Sequence, residues 1–119
     1  MSKRSEILQA VDLLFEAINQ NDTSLIPLAD DVVMRGPMMP EPKSGAADVR
    51  LYLSEIAPFI SKVVRDEAVV EGDRAAVTVT FELLNGNLIE GAEFFRVKDG
   101  LITEDLVYFD TRKLFQGNH

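Results

Sequence analysis

The run "AAVTVTFELL" at 75–84 leaves this chain little freedom. Val77, Val79, Phe81 and Leu83 alternate with Thr78, Thr80 and Glu82, the period of a strand with one face in a core. A helix would scatter those apolar side chains around its circumference. "NGN" follows at 85–87, then "LIEGAEFFRV", then "KDG" at 98–100, then "LITEDLVYFD". Asn-Gly and Asp-Gly supply the positive φ angles that tight hairpins need. Another strand, "KVVRDEAVV", turns into the alternating run at "EGD". The C-terminal half is therefore a meander of about four antiparallel strands.

The N-terminal half is mostly helical. Ile7, Leu8, Val11, Leu14, Phe15 and Ile18 share one helix face, with a start near Ser5 and Glu6 and an end at "NQND". A short second helix is expected to be capped at Thr23 or Ser24, with Pro27 in its first turn. "DDVVMR" is a short strand. Ser44 is the expected N-cap of a third helix over roughly 46–57, with Val49, Tyr52, Leu53 and Ile56 as its apolar stripe and Pro58 at its end. Between strand and helix lies "GPMMPEPKSG", which holds three of the five prolines and two of the four methionines. A long helix or central strand cannot cross it. Met38 and Met39 either pack as satellite core or form the adaptable rim of an apolar pocket.

Composition removes several classes of function. The 119 residues are 46% hydrophobic with a net charge of −8. That suits one soluble domain, 1–119, and argues against nucleic-acid binding through the backbone. With no Cys there is no thiol nucleophile, disulfide or thiolate metal site. The only His is His119, the last residue, so a His-based triad or zinc site is not expected. "ADD" at 29–31 lacks a third ligand at useful spacing, and the acidic residues Asp66, Glu67, Glu71 and Asp73 fall at a hairpin and are expected to be solvated. No metal and no cofactor is expected. Neither a signal peptide nor a membrane span is evident, and the expectation is a cytoplasmic protein without membrane contact.

The layout is α+β: a curved antiparallel sheet in the shape of a cone, with three N-terminal helices over its concave face. Three stretches, "AINQNDTSLIPLADDVVM", "EPKSGAADVRLYL" and "FFRVKDGLITEDLVYFD", resemble the nuclear transport factor 2-like superfamily over nearly the whole chain. That group includes ketosteroid isomerase, limonene epoxide hydrolase and the SnoaL-like polyketide cyclases. The resemblance implies a cystatin-like fold and an apolar cavity. It does not imply one reaction, because the fold hosts many. The isomerase tyrosine falls on Phe15, its base on Gly36 before Pro37, and its protonated aspartate on Glu93. Two of those three groups are thus absent. The hydrolase aspartate of the last strand falls on Val107.

Carboxyl groups then remain for chemistry. If Arg96 faces out, Glu93, Phe95 and Val97 face in. The resemblance turns Asp105, Val107 and Phe109 inward on the last strand, where residue pattern alone is ambiguous. A three-residue "KDG" loop sets Glu93 opposite Asp105, and a two-residue loop shifts the pairing by one. Glu93 and Asp105 are the candidate catalytic acid and base. The alternatives are a Glu93 that reaches solvent or pairs with Arg35, and an outward Asp105. Phe15, Met38, Phe59, Phe81, Phe95, Val107 and Phe109 are the candidate ligand-binding residues. The expected partner is a small apolar molecule, bound and converted by isomerase, cyclase or hydratase chemistry; the alternatives are a module that binds without conversion and a dimerisation module with a leftover pocket. Phe94, Ile102, Leu106 and Tyr108, if outward, make an apolar patch too large to stay wet, and the resemblance implies a homodimer through it.

Overall fold

A computed structural model describes residues 3–115 of the chain. His119 lies outside them. Helix α1 spans Lys3–Gln20 and is already helical ahead of Ser5. Strand β1 is Leu28–Arg35, β2 Lys43–Ser44, and α2 Ala46–Ile56. Strands β3 (Ile60–Glu71), β4 (Arg74–Leu83), β5 (Leu88–Lys98) and β6 (Leu101–Phe109) follow, then a short helix α3, Arg112–Phe115. The six strands form one open sheet in the order β2-β1-β6-β5-β4-β3. The meander from β3 to β6 is antiparallel, whereas β1 lies parallel to β6. No helix among the described residues is long and apolar enough to cross a membrane.

Helix α1 lies across the concave face because its apolar stripe has nowhere else to go. Ile7, Ala10, Val11, Leu14, Phe15, Ala17 and Ile18 are all buried. Two polar contacts fix its angle. The Asn19 amide donates to the Val63 carbonyl at 2.9 Å and accepts from the Val63 N–H at 2.7 Å, as a neighbouring strand would. Arg65 of β3 holds Asp12 of α1 at 2.6 Å. Arg50 of α2 donates to the Thr23 carbonyl and, at 3.2 Å, to that of Ile26, which ties α2 to the chain entering β1.

Bulges and a close approach curve the sheet. Register shifts between Arg65 and Ala68 on β3, and between Arg96 and Val97 where β5 meets β6. At Gly91, a Cβ would sit 2.7 Å from the Tyr108 carbonyl oxygen, so only glycine lets β5 and β6 approach this closely there.

Several expectations are corrected. The second helix is a single 3-10 turn, Thr23–Leu25, capped by Asp22, whose carboxylate accepts from the Ser24 N–H. Pro27 follows that turn and does not open it. Ser44 does not cap α2: it pairs with Val33 in β2, and Gly45, at φ 91°, takes the cap position. The "KDG" connection is the tighter alternative, with Lys98 opposite Leu101 and positive φ at Asp99 and Gly100. That loop alone would set Glu93 opposite Leu106; with one extra residue in β6, Glu93 pairs with Val107 and Asp105 with Phe95. A bulge at Thr103 restores the inward direction of Asp105 while also turning Ile102 inward, where it is fully buried. Ile102 thus leaves the predicted outer patch.

Candidate active site

A cavity of about 240 Å³ opens between α1, α2 and the concave sheet face. Strands β4, β5 and β6 supply Phe81, Leu83, Ile89, Val107 and Phe109; α1 supplies Leu14 and Ile18, and α2 supplies Leu53 and Ile56. Pro37, Met38, Met39, Phe59 and Leu114 complete the lining. Phe81 and Phe109 face each other at 6.5 Å between ring centroids. Among the described residues, only three lining side chains carry polar N or O atoms: Tyr52, Glu93 and Asp105.

Glu93 and Asp105 are 3% and 2% exposed, and both line the cavity. They are diagonal neighbours across β5 and β6, on one face of the sheet. Glu93 Oε2 and both Asp105 oxygens have no hydrogen-bond donor among the described residues. A proton held by Glu93 is the donor that the pair can supply for itself. Burial drives the Glu93 carboxyl well above its ordinary range, and the charge of Asp105 adds to the effect. Burial pushes Asp105 up to about 7, against a pull from the Glu93 proton in the other direction. Near neutral pH the pair therefore holds a proton that solvated carboxylates would have released. An acid and a base thus stand side by side in an apolar chamber.

Of the candidate ligand-binding side chains, Met38, Phe59, Phe81, Val107 and Phe109 line the cavity. Met38 and Phe59 are 49% and 67% exposed, as rim residues are. Phe15 and Phe95 do not line it. They pack edge to face at 6.1 Å in the core behind it. Arg35 is exposed and is not part of the lining. Gly36 is part of it, and a Cβ there would meet Val107 and Met39 only at ordinary contact distances of 3.8 and 3.9 Å.

Tyr52 is the site residue that sequence reasoning assigned only to a core stripe. Burial and the Asp105 charge both raise its hydroxyl pKa, so it remains a neutral donor beside the carboxyls. Lys43 lies 5.8 Å from the centre of its ring. The signal was a phenol in an otherwise aliphatic stripe, since a buried tyrosine hydroxyl needs a polar neighbour.

The SnoaL-like domain family matches residues 11–105, a span that includes both carboxyls and most of the cavity lining, with Val107, Phe109 and Leu114 beyond it. The chain belongs to the SnoaL-like family. No curated protein matches it. Among solved structures, a de novo designed protein with a curved β-sheet is 23% identical with a TM-score of 0.82, covering 94% of this chain and 90% of that one. An NTF2-like protein from Cytophaga hutchinsonii is 22% identical with a TM-score of 0.78, covering 98% and 96%. An LEH-like epoxide hydrolase of M. tuberculosis is 20% identical with a TM-score of 0.77, covering 93% and 87%. These likenesses establish the fold of this SnoaL-like domain. A designed protein and a hydrolase share it, so activity has to be argued from the site.

Proposed function

We propose that this SnoaL-like domain binds a small apolar molecule in the cavity and moves a proton on it with Glu93 and Asp105. The reaction class is isomerase, cyclase or hydratase. The observation that carries the reading is the pair of buried carboxyls facing an apolar chamber that no Lys, Arg or His among the described residues lines. A stability role does not account for such a pair, because burying like charges opposes folding. Glu93 acts as the acid and Asp105 as the base. Tyr52 adds a neutral donor for an oxygen that gains charge. The reading needs no metal or organic cofactor.

The test is solvent deuterium incorporation into carbon positions of a panel of small apolar molecules, followed by NMR with wild type, Glu93→Gln and Asp105→Asn. Incorporation that both variants abolish supports proton transfer. Thermal stabilisation by a compound without incorporation supports the second reading, a non-catalytic binding module. That reading is favoured by Gly36 and Phe15, which stand where the isomerase relatives carry their base and tyrosine.

The proposed macromolecular partner is a second copy of the chain, through the outer sheet face. Phe94 and Tyr108 are 45% and 54% exposed there and stack edge to face at 5.7 Å. Sedimentation velocity tests the pairing.

A further inference from the structure

The polar end of the cavity is unusual in what it lacks. It offers more acceptors than donors: among the described residues, Glu93 Oε2, Asp105 Oδ1 and Asp105 Oδ2 are buried with no donor from outside the pair, which has only its own proton to share. Among the described residues, Tyr52 is the only other polar side chain in the lining, and none of the lining residues is a cation. A molecule whose polar end is a carboxylate or phosphate would add negative charge beside two buried carboxyls. A ketone or ether can accept from Tyr52 or from the Glu93 proton, but it brings no donor to the carboxyl oxygens that remain. A hydroxyl satisfies one of them. An aliphatic ammonium brings N–H donors for all three and a charge opposite to that of the pair.

We infer that the molecule this cavity takes carries a protonated amine as its polar end, set against Glu93 and Asp105, with an apolar body held by Phe81, Ile89, Val107 and Phe109. The inference rests on the reading of the cavity as a small-molecule site and adds the chemistry of the head group to it. It concerns recognition and stands whether or not proton transfer follows. An ammonium beside the pair also favours ionised carboxyls, so binding releases protons from Glu93 and Asp105. Tyr52 remains neutral and does not contribute to that release.

The experiment compares n-hexylamine, n-hexanol, 2-hexanone and hexanoate as ligands of the full chain near neutral pH. Titration calorimetry is run in two buffers of different ionisation enthalpy, and backbone NMR locates the contact. Methylamine, which has the charge without the tail, measures attraction to the acidic surface. The expected result is hexylamine bound at least about ten-fold tighter than hexanol, as an added charge-assisted bond implies. Proton release and shifts centred on residues 93, 105 and 52 should accompany it. Asp105→Asn should remove the amine's advantage while hexanol binding persists. If hexanone or hexanol binds as well as the amine, the head-group inference is overturned and the small-molecule reading stands. The inference is also overturned if methylamine reproduces the hexylamine shifts, because the surface then explains them. If none of the tailed compounds binds, the small-molecule reading falls, and the inference with it.

Discussion

Replacing Asp105 with Asn should make the ligand-free protein more stable at neutral pH. Asp105 ionises near 3.8 when free and at about 7 in the fold. Between those values the unfolded chain has released this proton and the folded chain still holds it. The folded state binds more protons, so stability falls as pH rises through that window. Each pH unit in the window is worth about 1.4 kcal/mol, which makes the loss on the order of 4 kcal/mol by pH 7. Solvent screening does not reduce this much, since Asp105 is 2% exposed. Glu93, raised for the same reason, extends the loss to higher pH. Two carboxylates nearer the surface, Asp110 and Asp73, act in the opposite sense. The Arg112 ion pair lowers Asp110 to about 2; at Asp73 desolvation raises the carboxyl, and the charge and hydrogen bond of Arg96, with smaller contributions, outweigh it and lower it. Their contributions are present above the usual carboxylate range and are lost as pH falls through their folded values, so they do not mask the Asp105 window. The assay is urea unfolding of wild type and Asp105→Asn from pH 4.5 to 8. The two should be similar near pH 4.5. Wild type should then lose midpoint by about 2 M if the m-value is near 2 kcal/mol/M, while the variant loses less. A wild-type stability that is flat or rising from pH 4.5 to 7.5, or a variant with the same slope, would refute the burial argument.

Three further outcomes follow from the geometry. Gly91→Ala forces its Cβ against the Tyr108 carbonyl and should cost roughly 1–3 kcal/mol in urea unfolding, with broadened β5 and β6 amide signals; an unchanged midpoint would show that the strands can separate freely there. Met38→Ala with Met39→Ala should weaken ligand binding by about ten-fold while shifting stability by no more than ~1–2 kcal/mol, because Met38 is 49% exposed and Met39 only partly buried. A stability change without a binding change would assign both to satellite core. Phe94→Glu should convert a sedimenting dimer to monomer without altering cavity binding, and a dimer that survives the change would place the interface elsewhere.

The meander was legible because its period is strict. Val77, Val79 and Phe81 face the core or cavity, as their alternation requires. Helix α1 was legible for the same reason at a different period. The β5–β6 register was not, since "KDG" allows two loop lengths and a bulge at Thr103 changes parity within β6. No local propensity marks that bulge. It brings Ile102 and Asp105 onto one face although three positions separate them. Ser44 illustrates a competition: an intrinsically good cap was drawn into strand pairing with Val33, and Gly45, which tolerates φ 91°, took its place. Phe15 and Phe95 show the limit of parity arguments. An inward direction placed them in the interior, but only packing decided that they meet each other behind the cavity. Tyr52 was hidden because a stripe residue and a cavity residue have the same spacing.

The central claim is that two buried carboxyls face the cavity and share a proton near neutral pH. NMR titration of the Glu93 and Asp105 side-chain carboxyl signals tests it directly. The account predicts that Asp105 titrates at about 7 and Glu93 well above its ordinary range. Titration of both near 4, the values of free side chains, would contradict it and remove the acid and base from the site.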